Sequence, residues 1–237
     1  NGNNGTFVAY VFAGGESTNA LARSVDFDGS GDDLSFASSS DFGFGTGDFT
    51  FEAWIKPTNW TNTYVALLSV YTTGGFHIGK NGSNFVVRSY NNADHIQTTN
   101  FPPIGQWTHV AVSRSGSTLK LFFNGIEEKS ASTSYDFATG AAYIANDNYN
   151  NRFNGIVSNL RIVKGTAVYT SSFRPPTEPL INITNTKLLC CNNSSTTGST
   201  VTPTTITANG DPTASTDSPF DDPAGFVFGD AGDQNVI

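Results

Sequence analysis

The residues best suited to binding chemistry lie in or beside three stretches that combine aromatic rings with amide and carboxylate groups, residues 59–64, 90–94 and 148–152. An aromatic ring offers a flat apolar face, while amides and carboxylates exchange hydrogen bonds with hydroxyl groups. A glycan ligand needs both. The same residue types are also typical of solvated turns, so a plain surface-loop interpretation stands beside this one. The candidate ligand-binding residues are Trp60, Tyr90, Asp147, Tyr149 and Arg152.

Trp60 is the leading candidate of this set. It follows Pro57 in a loop, where no buried role is required of an aromatic side chain. The other two tryptophans, Trp54 and Trp107, lie in strand-like segments and are interpreted as core residues.

Two stretches suggest calcium without establishing a site. Residues 26–33 place oxygen-bearing side chains at alternate positions, but the twelfth position of the stretch is Ala37, where an EF-hand loop needs a bidentate glutamate. Residues 146–151 are rich in oxygen ligands, yet asparagine and aspartate dominate ordinary turns. We therefore predict no cofactor and no metal-binding residue, and calcium stays an open alternative.

The two cysteines, Cys190 and Cys191, are adjacent. A vicinal disulfide is strained, and a zinc site needs more ligands at regular spacing. The sequence favours two free thiols on opposite faces of a strand at residues 187–191.

The residues needed for common hydrolytic mechanisms are missing. The glutamates are Glu16, Glu52, Glu127, Glu128 and Glu178. Only Glu127 and Glu128 are close in sequence, and adjacent residues of a strand point to opposite faces. No Gly-x-Ser-x-Gly motif presents a nucleophilic serine. His77 and His109 lie in strand-like segments and are interpreted as structural, so we predict that the protein is not an enzyme.

The charge of the chain argues against nucleic acid as a partner. Its 237 residues include 12 Lys and Arg against 20 Asp and Glu, with a formal net charge of −8 and a pI of about 4.6. A nucleic-acid binder needs clustered positive charge. No apolar run reaches the roughly 18 residues of a membrane-spanning helix, so membrane insertion is not predicted. The sequence contains no methionine, and we expect it to be part of a longer polypeptide.

The elements that must position these residues are β-strands. In residues 49–56 every second side chain is apolar, and the intervening positions include Glu52 and Lys56. Asn124-Gly125, between two such segments, indicates a type I′ hairpin. Further strands are predicted at residues 24–27, 64–71, 75–78, 85–90, 142–144 and 155–163. Turns rich in Gly, Asn, Ser and Thr separate them at the spacing of a sandwich, which predicts an all-β fold.

Three zones differ in composition. Residues 24–191 carry the strand pattern and are predicted to form one antiparallel β-sandwich. Residues 192–218 are rich in Ser and Thr with few apolar side chains, which predicts a linker or long surface loop. Residues 1–23 and 219–237 each contain a strand-like segment. We expect these two to pair in a small flanking or host β-domain into which the sandwich is inserted, the alternative being extra edge strands of the sandwich.

Five segments together resemble the laminin G-like branch of the concanavalin A-like β-sandwiches. They are SVDFDG at residues 24–29, GDFTFEAWIKP at 47–57, QWTHVAV at 106–112, LFFNG at 121–125 and FNGIVSNLRI at 153–162. The resemblance covers about residues 24–191 and implies an antiparallel jelly-roll sandwich. Hydrolytic members carry a Glu-x-Asp-x-x-Glu strand that supplies two carboxylates, and no glutamate of this chain stands in that pattern.

The continuation KGTAVYTSSFRPPT at residues 164–177, followed by TKLL at 186–189, is similar to laminin G-like modules in structural proteins of marine tailed phages. Residues 7–13 and 226–233 are also similar to a phage module that hosts such inserts. This resemblance implies a tail fibre, an appendage or a capsid decoration, located at the virion surface and therefore extracellular.

The partners expected from this resemblance are other copies or other subunits of the virion, joined through the end strands, and host-surface glycans. The alternative is a secreted, calcium-dependent carbohydrate-binding module. A degenerate hydrolase is disfavoured by the missing carboxylate pair.

Overall fold

The computed structural model describes residues 23–220, with sixteen β-strands and one short 3-10 helix, Ser40–Phe42. In chain order the strands are β1 (Ser24–Asp28), β2 (Asp33–Ser39), β3 (Phe49–Pro57), β4 (Tyr64–Tyr71), β5 (Phe76–Asn81), β6 (Asn84–Ser89), β7 (Asp94–Thr98), β8 (Thr108–Ser115), β9 (Thr118–Phe123), β10 (Ile126–Ser132), β11 (Gly140–Ile144), β12 (Asn154–Lys164), β13 (Thr186–Cys190), β14 (Ser199–Val201), β15 (Ile206–Asn209) and β16 (Thr213–Ser215). No helix in this part of the chain is long and apolar enough to cross a bilayer. The two strand-like segments predicted within residues 1–23 and 219–237 are residues 6–13 and 225–229, and both lie outside the described residues.

The strands form two antiparallel sheets that pack as a sandwich around one core. The nine-stranded sheet has the order β10-β9-β8-β3-β12-β1-β16, with β13 bonded to β12 and β14 to β13. The seven-stranded sheet has the order β15-β2-β11-β4-β5-β6-β7. Strand β12 is long enough to pair with β1 through residues 154–157 and with β13 through residues 160–163. The all-β antiparallel sandwich expected from the sequence is confirmed.

Alternation along the strands creates the core. Phe49 and Phe51 of β3 are fully buried, and across the sandwich they meet Phe76 of β5 at ring-centroid distances of 5.3 and 6.0 Å. Burying one such side chain contributes about 1.5–3 kcal/mol relative to leaving it exposed. The predicted hairpin is also present, since Asn124 and Gly125 both have positive φ, at 48° and 75°. A type I′ turn requires this conformation at both of its central residues.

The C-terminal part of the described chain differs from its prediction as a linker. Within residues 192–218, β14 pairs with β13, β15 with β2 and β16 with β1. These are short edge strands with mostly exposed or half-buried side chains. Backbone hydrogen bonds hold them, so the composition of the segment gives no strand signal. Because β16 lies against β1, the Ser24 hydroxyl donates to the carbonyl of Asp217 at 2.6 Å, and the two ends of the described sandwich lie side by side.

The outer face of the nine-stranded sheet is covered by residues 165–185, here called the covering segment. Glu52 lies on this face as predicted, but it is fully buried. Its carboxylate accepts hydrogen bonds from Arg161 Nη2 at 2.6 Å and from the Tyr169 hydroxyl at 2.7 Å, and His109 Nε2 lies 3.1 Å away. Desolvation acts to raise the pKa of Glu52, but the bond to His109 and the charge of Arg161 outweigh it and hold this pKa below its usual range. The cluster ties β3, β8 and β12 to the covering segment.

Candidate ligand-binding pocket

A pocket of about 450 Å³ lies on the outer face of the seven-stranded sheet. It is lined by residues of β4, β5 and β6, of the β6–β7 loop and of the β11–β12 loop, which covers residues 145–153. In β5, Phe76 and Ile78 belong to the core, so the intervening His77 points outward. In β6 the core residues are Phe85 and Val87, and Arg88 next to Val87 points outward for the same reason.

Strand register lines up polar side chains on this face. Ser69 of β4 lies opposite His77, His77 opposite Arg88, and Arg88 opposite Asp94 of β7. Directly opposed residues of antiparallel strands share a face. Ser69 Oγ and His77 Nδ1 are buried and have no hydrogen-bond partner within residues 23–220. Such groups are rare because their desolvation is uncompensated, and the row therefore retains unused hydrogen-bonding capacity.

The β11–β12 loop is held in a conformation that favours asparagine. Asn148 and Asn150 have positive φ, at 67° and 65°, and asparagine tolerates this left-handed region better than most residues. The Asp147 carboxylate accepts hydrogen bonds from the backbone N–H of Tyr149 at 2.9 Å and from the side-chain amide of Asn151 at 2.6 Å. These bonds fix the loop with the Tyr149 side chain 61% exposed.

Tyrosine rings supply the apolar part of the wall. The ring centroid of Tyr71 lies 5.7 Å from those of both Tyr90 and Tyr149. Tyr90 and Tyr149 are nearly parallel, with 14° between their planes and 6.4 Å between their centroids. Tyr90 is only 5% exposed, so it is fixed in the wall, whereas Tyr149 is offered to solvent. Such a wall suits a ligand that has both C–H faces and hydroxyl groups.

Burial controls the charge state of two groups at the pocket. Desolvation of His77, together with the nearby charge of Arg88, lowers the pKa of its imidazole to about 3, so the ring is neutral at physiological pH. Desolvation and the Asp147 carboxylate raise the pKa of the Tyr90 hydroxyl above its usual range, so it remains protonated. Both side chains therefore act as neutral hydrogen-bonding groups.

Three of the five residues proposed from the sequence lie together in this pocket: Tyr90, Asp147 and Tyr149. Arg152 belongs to the same loop but does not line the pocket. Its Nη1 donates to the carbonyl of Asp32 and to Asp33 Oδ2, both at 2.8 Å. Arg152 thus anchors the loop to the start of β2.

The structure corrects the expectation that Trp60 is free of a buried role. Its ring centroid lies 5.9, 5.4 and 5.8 Å from those of Phe85, Phe101 and Phe153. Its Nε1 donates to the carbonyl of Pro102 at 2.9 Å, which satisfies the one polar group of the indole. The ring packs against the core because leaving so much apolar surface in water is unfavourable. Its side chain lies apart from the pocket.

Sequence reasoning missed His77 and Arg88 as site residues. Both were assigned to strands, and His77 was interpreted as structural because apolar residues flank it. That same pattern is the available signal, since a polar residue between two core residues of a strand must point away from the core. No single segment of the sequence shows which strands lie side by side, and therefore none shows which polar residues form one row.

A second group of carboxylates, Asp28, Asp32 and Asp211, has ligand oxygens within 4.8 Å of one another and could hold a cation. Both Asp32 oxygens, however, already accept backbone N–H bonds, from Asp28 at 3.1 Å and from Asp211 at 2.8 Å. Burial raises the pKa of Asp32 above its usual range. Through these contacts the three carboxylates join the β1–β2 loop to the segment that follows β15, which gives the group a structural role.

None of the glutamates within residues 23–220 lines the pocket. Glu127 pairs with Lys120 at 2.7 Å, and Glu128 accepts a hydrogen bond from the Thr98 hydroxyl at 2.6 Å. Glu52 is enclosed on the opposite sheet. The pocket therefore has no glutamate pair of the kind that retaining glycosidases use.

The family of the chain follows from comparison with known proteins. A laminin G family model, described as the concanavalin A-like lectin/glucanases superfamily, matches residues 28–168, which is more than half of the chain. The protein belongs to this superfamily. No curated protein matches the sequence significantly.

Two solved structures share the fold at low sequence identity. A proposed carbohydrate-binding protein from Bacteroides ovatus ATCC 8483 superposes with a TM-score of 0.61 and 15% identity, covering 82% of this chain and 60% of that one. This chain thus spans only about 60% of the Bacteroides protein's length. A heptameric SAP-like pentraxin from Limulus polyphemus superposes with a TM-score of 0.58 and 13% identity, covering 85% of this chain and 97% of that one. At such identities the likeness establishes the fold.

Proposed function

We propose that this protein is a non-enzymatic carbohydrate-recognition module and that it forms part of a tailed-phage virion. The observation that carries the recognition role is the convergence of Tyr90, Asp147 and Tyr149 with the buried polar side chain of His77 in one pocket. The pocket offers aromatic faces and hydrogen-bonding groups together, as a sugar requires, and it lacks a glutamate pair. The carbohydrate-binding role proposed for the Bacteroides structure of the same fold is consistent with this function.

The virion assignment rests on the resemblance of residues 164–177 to phage structural modules. The adjacency of Ser24 and Asp217 suits a module inserted into a host domain, because both connections then leave from one place. In this proposal the protein is a tail fibre, an appendage or a capsid decoration at the virion surface. Its partners are other virion subunits and host-surface glycans.

The recognition role is tested by a glycan array probed with the unaltered protein and two variants. Tyr149→Ala removes the exposed ring of the pocket and is expected to weaken binding at least tenfold. Ile126→Ala is the control, because Ile126 is 69% exposed on β10 of the other sheet and its loss leaves the pocket intact. Equal binding by all three proteins would place the glycan site elsewhere. Absence of binding from folded, monodisperse protein would remove the recognition role.

The observation that bears on the alternative, a secreted calcium-dependent module, is the proximity of the Asp28, Asp32 and Asp211 carboxylates, whose oxygens lie within 4.8 Å of one another. The array is therefore run with calcium and with EDTA. Binding that survives EDTA supports the pocket as the site, whereas binding lost in EDTA and restored by calcium favours the alternative. Asp28→Asn separates the two further, since it reduces the negative charge of the carboxylate group without touching the pocket.

A further inference from the structure

The charged groups at the pocket already have partners within the protein. The Lys80 ammonium donates to two backbone carbonyls of the β3–β4 loop. Arg88 Nε lies 3.0 Å from Asp94 Oδ1 as an ion pair, although out of line for a hydrogen bond. The Asp147 carboxylate accepts three hydrogen bonds from its own loop. Lys80, Arg88 and Asp147 line the pocket, and each of these charged groups is thus already engaged by another group of the protein.

These existing contacts disfavour an acidic sugar. A ligand carboxylate would have to compete with Asp94 for Arg88 or with the backbone carbonyls of the β3–β4 loop for Lys80, or else lie near the like charge of Asp147. Burying a charge without a partner is costly, and releasing one from an existing pair leaves the other partner uncompensated. A neutral sugar incurs neither cost, because its hydroxyl groups need only hydrogen-bond partners.

His77 supplies such a partner. Its side chain lines the pocket and packs beside Tyr90, with 5.9 Å between the ring centroids. Nδ1 has no hydrogen-bond partner among the described residues, and a neutral imidazole offers one donor and one acceptor. A hydroxyl group both donates and accepts, so it satisfies the imidazole in either tautomer.

We propose that the pocket selects neutral sugars over acidic ones and that the imidazole of His77 hydrogen-bonds with a hydroxyl group of the bound sugar. This inference rests on the proposed carbohydrate function. It specifies the chemical class of the ligand and adds a strand residue to the loop residues that the sequence indicated.

The charge preference is tested with matched sugar pairs. Galactose and galacturonic acid, glucose and glucuronic acid, and mannose and mannuronic acid are presented on one linker, and affinities are measured by surface plasmon resonance. Where a neutral sugar binds, its acidic counterpart is expected to bind at least tenfold more weakly. Equal or stronger binding of the acidic sugars would overturn the preference while leaving carbohydrate recognition intact. Failure of every neutral and acidic sugar to bind would overturn both.

The role of His77 is tested on the unaltered protein, because a substitution at a buried position risks unfolding. The chain has only three histidines, so the ring nitrogens of His77 can be followed by ¹⁵N NMR, with His109 as an internal control on the opposite sheet. Saturation with the best neutral sugar is expected to shift the His77 nitrogens and not those of His109. Unmoved His77 signals at saturation would overturn the assignment. Where His77→Gln folds, it is expected to lose at least tenfold in affinity.

Discussion

The buried imidazole of His77 makes the free energy of unfolding fall as the pH falls below its ordinary pKa. This pKa is 6.5 and is lowered to about 3 in the folded protein, so the unfolded chain binds a proton that the native state rejects. A lowered folded pKa contributes stability that is complete above the unfolded value and is lost progressively as the pH approaches the folded value. Each pH unit below the unfolded pKa of 6.5 removes about 1.4 kcal/mol of unfolding free energy, whereas little is lost above 6.5. Lowering the pH from 7.5 to 5.5 should therefore remove about 1.4 kcal/mol, or about 3–6 °C in melting temperature.

Other titrating groups leave the sign of this effect unchanged. Desolvation also lowers the pKa of His95, which acts in the same direction. The carboxyl groups of Asp26 and Asp32 have raised pKa values and act in the opposite direction, but from an ordinary value of 3.8. The window from pH 7.5 to 5.5 is centred on the ordinary pKa of histidine and lies above the ordinary pKa of the carboxyl groups.

The assay is urea unfolding followed by tryptophan fluorescence at pH 7.5, 6.5 and 5.5, with NMR titration of the histidine rings beside it. His77 should show no titration down to pH 5.5, and His77→Gln, if it folds, should reduce the pH dependence. Constant stability across the window, or an imidazole that titrates near 6.5, would refute the reasoning. It would show that His77 is hydrated or paired with an acid. The inference that His77 offers a neutral imidazole to a sugar hydroxyl group would then fail as well.

Three further predictions concern the scaffold. Glu52→Gln should lower the free energy of unfolding by about 3–5 kcal/mol, because it leaves the buried guanidinium of Arg161 without its negatively charged partner. The matched control Glu127→Gln removes the carboxylate of a part-exposed pair and should cost about 0–1 kcal/mol. Similar losses in urea unfolding would contradict this. The thiols of Cys190 and its neighbour are fully buried, so Ellman's reagent should label neither in the native protein and both in urea. Rapid native labelling would show that β13 opens. Gly125→Ala would place a Cβ against the backbone carbonyl of Phe173 in the covering segment, and it should therefore lower the melting temperature. The control is Gly82→Ala, since Gly82 also has positive φ but has open space around it, and its melting temperature should fall much less. Equal shifts would argue against the contact at Gly125.

The sequence predicted those parts of the fold in which side chains alternate between core and surface. The alternation around Phe51 and the Asn124-Gly125 turn both correspond to observed elements. The strands within residues 192–218 were missed because backbone hydrogen bonds attach them, and these leave little trace in side-chain composition. Trp60 was misplaced because a loop position says little about whether the ring turns back to the core.

The pocket shows why the sequence yields some site residues and hides others. Tyr90 and Tyr149 follow strands in loops rich in asparagine, and a loop composition of this kind can be recognised locally. His77 and Arg88 become neighbours only because β5 pairs with β6 in a particular register. A shift of one residue in that register would turn one of the two toward the core.

The two kinds of residue also differ in what they can contribute to recognition. His77 lies on a strand whose register is fixed by core residues on either side, so its position cannot change without disturbing the sandwich. Tyr149 lies on a loop held by the Asp147 carboxylate, where an insertion or substitution alters the wall and leaves the sheets intact. Substitutions at Tyr149 should therefore change which sugar binds at little cost in stability, whereas substitutions at His77 should change affinity and stability together. Parallel measurement of affinity and unfolding free energy on both variants distinguishes these outcomes, and a large loss of stability in Tyr149→Ala would contradict the division.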